Sequence, residues 1–110
     1  MEGLYLVHIR EFISREMPIY KIGRSNNLNK VISHYPIGSN LLFLSVCKNI
    51  NSCEQKIIEI FKEQFIQEKF YGNKFYSGNL YEMLDVMNEY INIYNHQNSE
   101  EILAILELQD

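Results

Sequence analysis

One carboxylate in this sequence stands where a metal-ion site could form. Glu54 lies at the beginning of a predicted helix, and its spacing aligns it with Ile58 and Phe61 on the apolar face. A carboxylate at the rim of a core, across from a strand tyrosine such as Tyr5, could hold a divalent cation. Glu54 could instead simply complement the positive end of the helix dipole. The sequence leaves both interpretations open.

Basic residues are concentrated in the first half of the chain. Residues 1–50 carry six Lys and Arg against three Glu, a net charge of +3. Residues 51–110 carry four basic against eleven acidic residues, a net charge of −7. This asymmetry could direct the phosphate backbone of a nucleic acid towards one face, although ordinary solvated surface charge would give the same pattern. The total of −4 argues against non-specific coating of DNA.

The elements that would position these groups alternate between strands and helices. Apolar and β-branched runs predict strands at about residues 3–10, 19–22 and 41–47, with a brief extended piece at 75–76. Helical spacing predicts helices at about residues 26–34, 52–65, 79–94 and 100–108, with residues 11–18 as a polar connection. Ser52 and Gln55 have the spacing of a capping box. This order predicts a small α/β or α+β domain built on a three-stranded sheet.

A chain of 110 residues without a linker or repeat is expected to form one domain. We assign residues 1–96 to this domain and 97–110 to a C-terminal helical extension packed on or beside it. No apolar run approaches the roughly 18 residues of a membrane-spanning helix, and the N-terminus lacks the pattern of a signal peptide. We therefore expect an intracellular protein, in the cytoplasm, with Cys47 and Cys53 as reduced thiols.

Five segments follow one another along the chain: GLY at 3–5, YKIGRSNNL at 20–28, SHYPIGS at 33–39, the helix that carries Glu54, and GNKFYSGN at 72–79. Together they resemble the GIY-YIG nuclease superfamily, in particular its stand-alone copies in phages and large DNA viruses. For a viral protein of this kind the nucleus of the host cell is a second expected location. The resemblance covers nearly the whole chain. It implies a three-stranded antiparallel sheet flanked by helices, with one active site on a face of the sheet.

The resemblance also implies phosphodiester hydrolysis with one divalent cation, Mg²⁺ or Mn²⁺, as the cofactor of an active enzyme. Tyr5 matches the tyrosine that helps to activate the attacking water, and Glu54 matches the metal ligand. The catalytic candidates, including cations that could steady the phosphate, are Tyr5, Tyr20, Arg24, Lys30 and Glu54. The candidates for nucleic-acid binding are Lys21, Arg24, Asn27, Lys30 and Lys74.

Several positions depart from the pattern of this superfamily. Lys21 takes the place of the tyrosine that opens the second motif, which leaves Tyr20 one residue early and on the opposite strand face. Val31 stands where a phosphate-binding arginine is expected, and the adjacent Lys30 is rotated from it by about 100 degrees on a helix. Lys74 stands where viral relatives commonly carry an acidic residue.

These departures favour a nucleic-acid-binding domain whose metal-dependent endonuclease activity is weak or lost, since removing a phosphate-stabilising group costs orders of magnitude in rate. One alternative is an active DNA endonuclease with Lys30 or Arg24 as the substitute cation, and another is a protein-interaction module that keeps only the fold. DNA is the expected partner, and a membrane is not. A larger protein could supply targeting. A homodimer could form through Met83, Met87 and Tyr94 if the terminal helix leaves them uncovered.

Overall fold

An antiparallel sheet of five strands organises the chain, in the spatial order β3-β1-β2-β5-β4. In this computed structural model, residues 2–108 are described, with their side chains as far as residue 95. The strands are β1 (Gly3–His8), β2 (Ile19–Ser25), β3 (Asn40–Val46), β4 (Ile66–Gln67) and β5 (Phe75–Ser77). The helices are α1 (Arg10–Ser14), a 3₁₀ helix (Leu28–His34), α2 (Ile50–Gln64) and α3 (Leu80–Leu108). The mixed α and β class predicted from the sequence is confirmed.

The sheet has five strands, so the prediction of a three-stranded sheet is wrong in its count. β1 lies at the centre of the three predicted strands, between β2 and β3, and β5 adds to the free edge of β2. β4 then pairs antiparallel with β5 through Ile66 and Gln67. These two short strands form an edge hairpin, and a pair of two to three residues is too short to show a period in the sequence.

Helix boundaries differ from the prediction at three places. The connection at residues 11–18 contains the short helix α1, and the helix predicted to end near residue 34 is a 3₁₀ helix. Helix α2 begins at Ile50 rather than at a capping box on Ser52, and Asn49 precedes it in the left-handed region, with φ of 32° and no side-chain cap. Asn79 does cap α3, because its side-chain oxygen accepts the Glu82 amide at 3.1 Å.

Helix α3 runs without interruption through the break predicted at residues 95–99. Asn95, at the predicted break, donates from its side chain to the Val46 carbonyl at 3.4 Å and so joins α3 to the end of β3. The backbone of residues 97–108 continues this helix, while the side chains of the predicted extension, and residues 109–110, lie outside the described part. Among the described residues, no helix has both the length and the apolar character needed to cross a membrane.

Strand alternation divides the apolar residues between the two faces of the sheet. Leu4, Leu6 and Ile22 face α2 and α3 and belong to the main core. That core also contains Cys53, Ile57 and Phe61 of α2 and Met83, Met87 and Ile91 of α3. Of the three residues of the predicted dimer face, Met83 and Met87 are fully buried in this core and Tyr94 packs partly buried against it. Tyr5 and Val7 face the other way and pack with Leu28 and Val31.

Gly23 should be sensitive to any side chain, because the Tyr5 ring lies where its Cβ would be. Tyr5 and Gly23 are paired across β1 and β2, and the three atoms nearest to an added Cβ are two ring carbons and the hydroxyl oxygen of Tyr5. We expect Gly23→Ala to lower the free energy of unfolding by about 1–3 kcal/mol, the usual cost of overpacking. Urea denaturation monitored by circular dichroism measures it.

A double-mutant cycle provides the control for this prediction. If the clash is with the ring, the penalty of Gly23→Ala should shrink in a Tyr5→Ala background. Additive effects of the two substitutions would contradict this explanation and indicate a backbone origin instead.

Candidate functional site

Glu54 is the buried charged residue at the centre of the candidate site. It lies in the first half of α2, between Cys53 and Ile57, both of which are fully buried in the main core. Only 6% of its surface is exposed, and an isolated carboxylate at that depth would be strongly disfavoured. Its position on α2 therefore requires nearby cations.

Two cations meet this requirement. The Lys74 Nζ donates to both carboxylate oxygens of Glu54, at 3.0 Å each, so the ammonium is centred on the carboxylate. The Arg24 Nε lies 3.7 Å from Glu54 Oε1. Both cationic side chains stay partly open to solvent, at 37% for Lys74 and 44% for Arg24.

The edge hairpin brings Lys74 to this place. Lys74 directly precedes β5, and its carbonyl accepts the Ile22 amide at 3.0 Å, which continues the β2–β5 pairing by one residue. Alternation from the buried Tyr76 turns Lys74 towards the α2 face. Arg24 reaches the same face from β2, two residues after Ile22.

An open polar cleft adjoins Arg24 at the beginning of α2. Its volume is about 390 Å³. The residues that line it are Glu2, Arg24, Ser25, Asn26, Asn49, Ile50 and Asn51. Amide and hydroxyl side chains of this kind make contacts to phosphate and sugar groups in protein–DNA complexes.

Tyr5 lies in a second polar group, on the opposite face of β1 and β2. Its hydroxyl is 2.7 Å from the Tyr35 hydroxyl, and the Lys21 Nζ lies 5.2 Å from the centre of the Tyr35 ring. Lys21 also lies 5.7 Å from the centre of the Phe75 ring. The charge of Glu54 is the smallest of the influences that raise the pKa of Tyr5.

The environment of Tyr5 keeps its hydroxyl neutral. Burial raises the pKa of Tyr5 far above its ordinary value, and the Tyr35 hydrogen bond raises it further, against a smaller lowering by Lys21. A phenol with a raised pKa is a poor proton acceptor at neutral pH, since it reaches the phenolate form only in strong alkali. The raised pKa therefore makes Tyr5 a weaker candidate for activating water than an ordinary tyrosine.

The remaining predicted residues are dispersed. Tyr20 is buried in the main core, and the centre of its ring lies 4.6 Å from that of His8. Lys21 contacts the Tyr35 ring on the other face of β2, so the two residues point to opposite faces, as expected. Lys30 lies in the 3₁₀ helix and Asn27 directly before it, and both are exposed. Among the described side chains, no contact joins Lys30 to Glu54 or Tyr5. Val31 is 2% exposed and packs in the apolar cluster with Tyr5, so this position belongs to the core.

Sequence reasoning missed two features of the site. The first is Tyr35, which the sequence analysis includes only as part of the segment SHYPIGS at 33–39, although its hydroxyl is the partner of Tyr5. The second is the pairing of Lys74 with Glu54, which was not anticipated although both residues were candidates. One feature of the sequence could have indicated this pair: Lys74 directly precedes residues 75–76, a short extended piece that could pair with β2.

The carboxylate of Glu54 does not fit a divalent cation in this arrangement. Mg²⁺ and Mn²⁺ would have to approach its oxygens to roughly 2.0–2.2 Å, on the side that the Lys74 ammonium occupies. Their charge would also be repelled by Arg24. Within the part of the chain that is described, no cluster of three or more His, Cys, Asp or Glu residues could hold a metal ion.

Buried tyrosines should make the fold sensitive to alkali. Burial raises the pKa of Tyr5, Tyr20, Tyr35, Tyr76 and Tyr90 above the ordinary 10.0. The unfolded chain would ionise near 10.0 while the folded chain resists it, so stability is fully present below that pH and falls as pH rises further. Urea midpoints across the alkaline range measure this effect.

Ring-labelled tyrosine and NMR would resolve the contribution of the Tyr5–Tyr35 pair. In Tyr35→Phe the pKa of Tyr5 should fall, because a hydrogen bond that raises it is removed, yet burial should keep it above 10.0. Titration of Tyr5 near 10.0 in the unmodified protein would contradict the description of its environment.

Comparisons of the chain with protein-family models, with curated proteins and with solved structures find no match. The resemblance to GIY-YIG nucleases therefore depends on the residues quoted above, and membership of that superfamily stays a prediction. What the geometry itself establishes is a buried carboxylate held between two cations, beside a polar cleft.

Proposed function

We propose that this protein is a GIY-YIG-like nucleic-acid-binding domain, intracellular, in which metal-dependent cleavage is weak or lost. The observation that carries this proposal is the pairing of Glu54 with Lys74 and Arg24. It turns the position expected to attract a metal ion into a cationic surface, which suits the phosphate backbone of DNA.

The charge balance of the site supports binding of an anion. Arg24 and Lys74 contribute two positive charges and Glu54 one negative charge, so this group carries +1. Lys21, on the opposite face of β2, adds one positive charge and Glu2, which lines the cleft beside Arg24, adds one negative charge, so the five residues together carry +1. The cleft beside Arg24 offers uncharged hydrogen-bonding groups close to these cations, as phosphate and sugar contacts require.

Three features weigh against efficient cleavage. The Glu54 carboxylate is already paired, the Tyr5 hydroxyl is held neutral, and Val31 fills a core position instead of supplying a cation. Arg24 is the best-placed substitute for the missing arginine, but its Nε already faces Glu54. Loss of one stabilising group can cost about 10²–10³ in rate, so combined losses leave little activity.

A protein-interaction module is the second candidate, favoured by apolar exposure on the edge hairpin. Phe70, in the β4–β5 connection, is 92% exposed, and Ile66 on the edge strand is 68% exposed. Exposed apolar groups beside an unpaired strand edge are a common feature of protein-binding surfaces. Under this alternative the cationic site would be incidental, and DNA binding would be absent.

DNA binding should depend on salt and on the cations of the site. We expect a labelled DNA fragment to bind with an affinity that falls as salt rises, because bound phosphates release counterions. Arg24→Ala should weaken binding and lower the slope of log affinity against log salt by about 1. Lys62→Ala, an exposed lysine in the last turn of α2, is the matched control and should leave the slope unchanged. Fluorescence anisotropy measures both, and no binding at low salt would refute the proposal.

Cleavage assays separate this proposal from an active endonuclease. We expect plasmid, branched and single-stranded DNA to stay intact with Mg²⁺ or Mn²⁺, at the background level of Glu54→Gln. Gel electrophoresis over a long incubation measures it, with circular dichroism to show that both proteins are folded. Nicking that disappears in Glu54→Gln would establish an active enzyme instead.

A further inference from the structure

The Lys74 ammonium occupies the approach to Glu54 that a metal ion would need. Its two equal distances of 3.0 Å place it in front of both oxygens. Main-chain pairing fixes the backbone of Lys74 beside β2, because its carbonyl accepts a hydrogen bond from the Ile22 amide. The chain therefore supplies its own cation, the Lys74 ammonium, at the position that a metal ion would take.

Lys74 and Arg24 keep N–H donors that do not contact the Glu54 carboxylate. A lysine ammonium has three N–H donors, and two of them serve the two oxygens of Glu54. The arginine side chain has five donors, and among the described residues Arg24 makes a polar contact only through Nε. The third Lys74 donor and the terminal guanidinium nitrogens of Arg24 stay open to solvent-borne anions.

We propose that Lys74 is the resident cation of this site and that Glu54 positions Lys74 and Arg24 to bind a phosphate group without a metal ion. Glu54 then acts through the two cations and does not touch the ligand. The phosphate oxygens accept hydrogen bonds from Lys74 and from the forked guanidinium of Arg24, a geometry that suits phosphate. The identity of the ligand rests on the proposed function, whereas the exclusion of metal does not.

Titration with Mn²⁺ alone tests the exclusion of metal. Calorimetry on the unmodified protein should show no heat of binding that Glu54→Gln removes. Lys74→Glu places a second carboxylate beside Glu54. This variant should bind Mn²⁺ at least about tenfold more tightly than the unmodified protein, since affinity follows the number of charged ligands. The gain should disappear in the double variant Lys74→Glu with Glu54→Gln. Glu54-dependent Mn²⁺ binding by the unmodified protein would overturn the proposal.

Two further variants guard against effects on folding and on general charge. Lys74→Met keeps an unbranched side chain of similar length and frees Glu54, so it should bind Mn²⁺ more tightly than the unmodified protein does. Its affinity should stay below that of Lys74→Glu, because it has one carboxylate and Arg24 still faces it. It provides the test if Lys74→Glu does not fold. Lys69→Met removes an exposed lysine from the same connection and should bind no Mn²⁺. No gain of Mn²⁺ binding in either folded Lys74 variant would show that Lys74 is not what excludes the metal.

DNA affinity with and without chelator tests phosphate binding separately. The unmodified protein should bind labelled DNA equally in EDTA and in Mn²⁺ at matched ionic strength. Lys74→Met should bind more weakly in EDTA, and Mn²⁺ should restore part of the loss; Lys69→Met should show no restoration. An absence of DNA binding by the unmodified protein would refute the proposed function and leave the Mn²⁺ titration as the test of the resident cation. DNA binding that requires Mn²⁺ in the unmodified protein would overturn the inference alone.

Discussion

Burial of the Glu54 carboxylate is the constraint on which the arrangement of the site depends. A carboxylate taken out of water costs several kcal/mol unless cations and hydrogen bonds offset the loss, and removing one partner of a buried pair is strongly destabilising. Glu54 lies between core residues of α2 and cannot turn to solvent without leaving the packing. β2 must therefore present Arg24, and the edge hairpin must present Lys74, for α2 to pack where it does. The packing of α2 in the core therefore depends on the two cations of the site.

The sequence was informative wherever a pattern repeats over many residues. Alternation in β2 predicts opposite faces for Tyr20 and Lys21. The structure places Tyr20 in the main core and Lys21 beside the Tyr35 ring on the other face. Helical spacing put Glu54 beside the apolar face of α2, where it is found. These predictions succeed because side-chain direction follows directly from the period of the element.

The failures share a different cause, since they involve contacts that no local period encodes. Tyr5 and Tyr35 are 30 residues apart, and Glu54 and Lys74 are 20 apart, and each pair meets only through tertiary packing. The predicted break at residues 95–99 relied on polar residues alone. Ordinary residues differ by no more than about 0.7 kcal/mol in helix propensity, so a segment without Gly or Pro can continue a helix.

The placement of Lys74 on the edge hairpin has an evolutionary consequence. The hairpin is added to the outside of the sheet and contributes Tyr76 to the core, while most of the core comes from β1, β2, α2 and α3. A change of side chain at position 74 can therefore alter the sign of the charge that faces Glu54 while the apolar packing stays as it is. Conversion between a cation-binding and an anion-binding surface is thus within reach of a single substitution in a peripheral element. Ligand preference in such a fold can diverge much faster than its architecture.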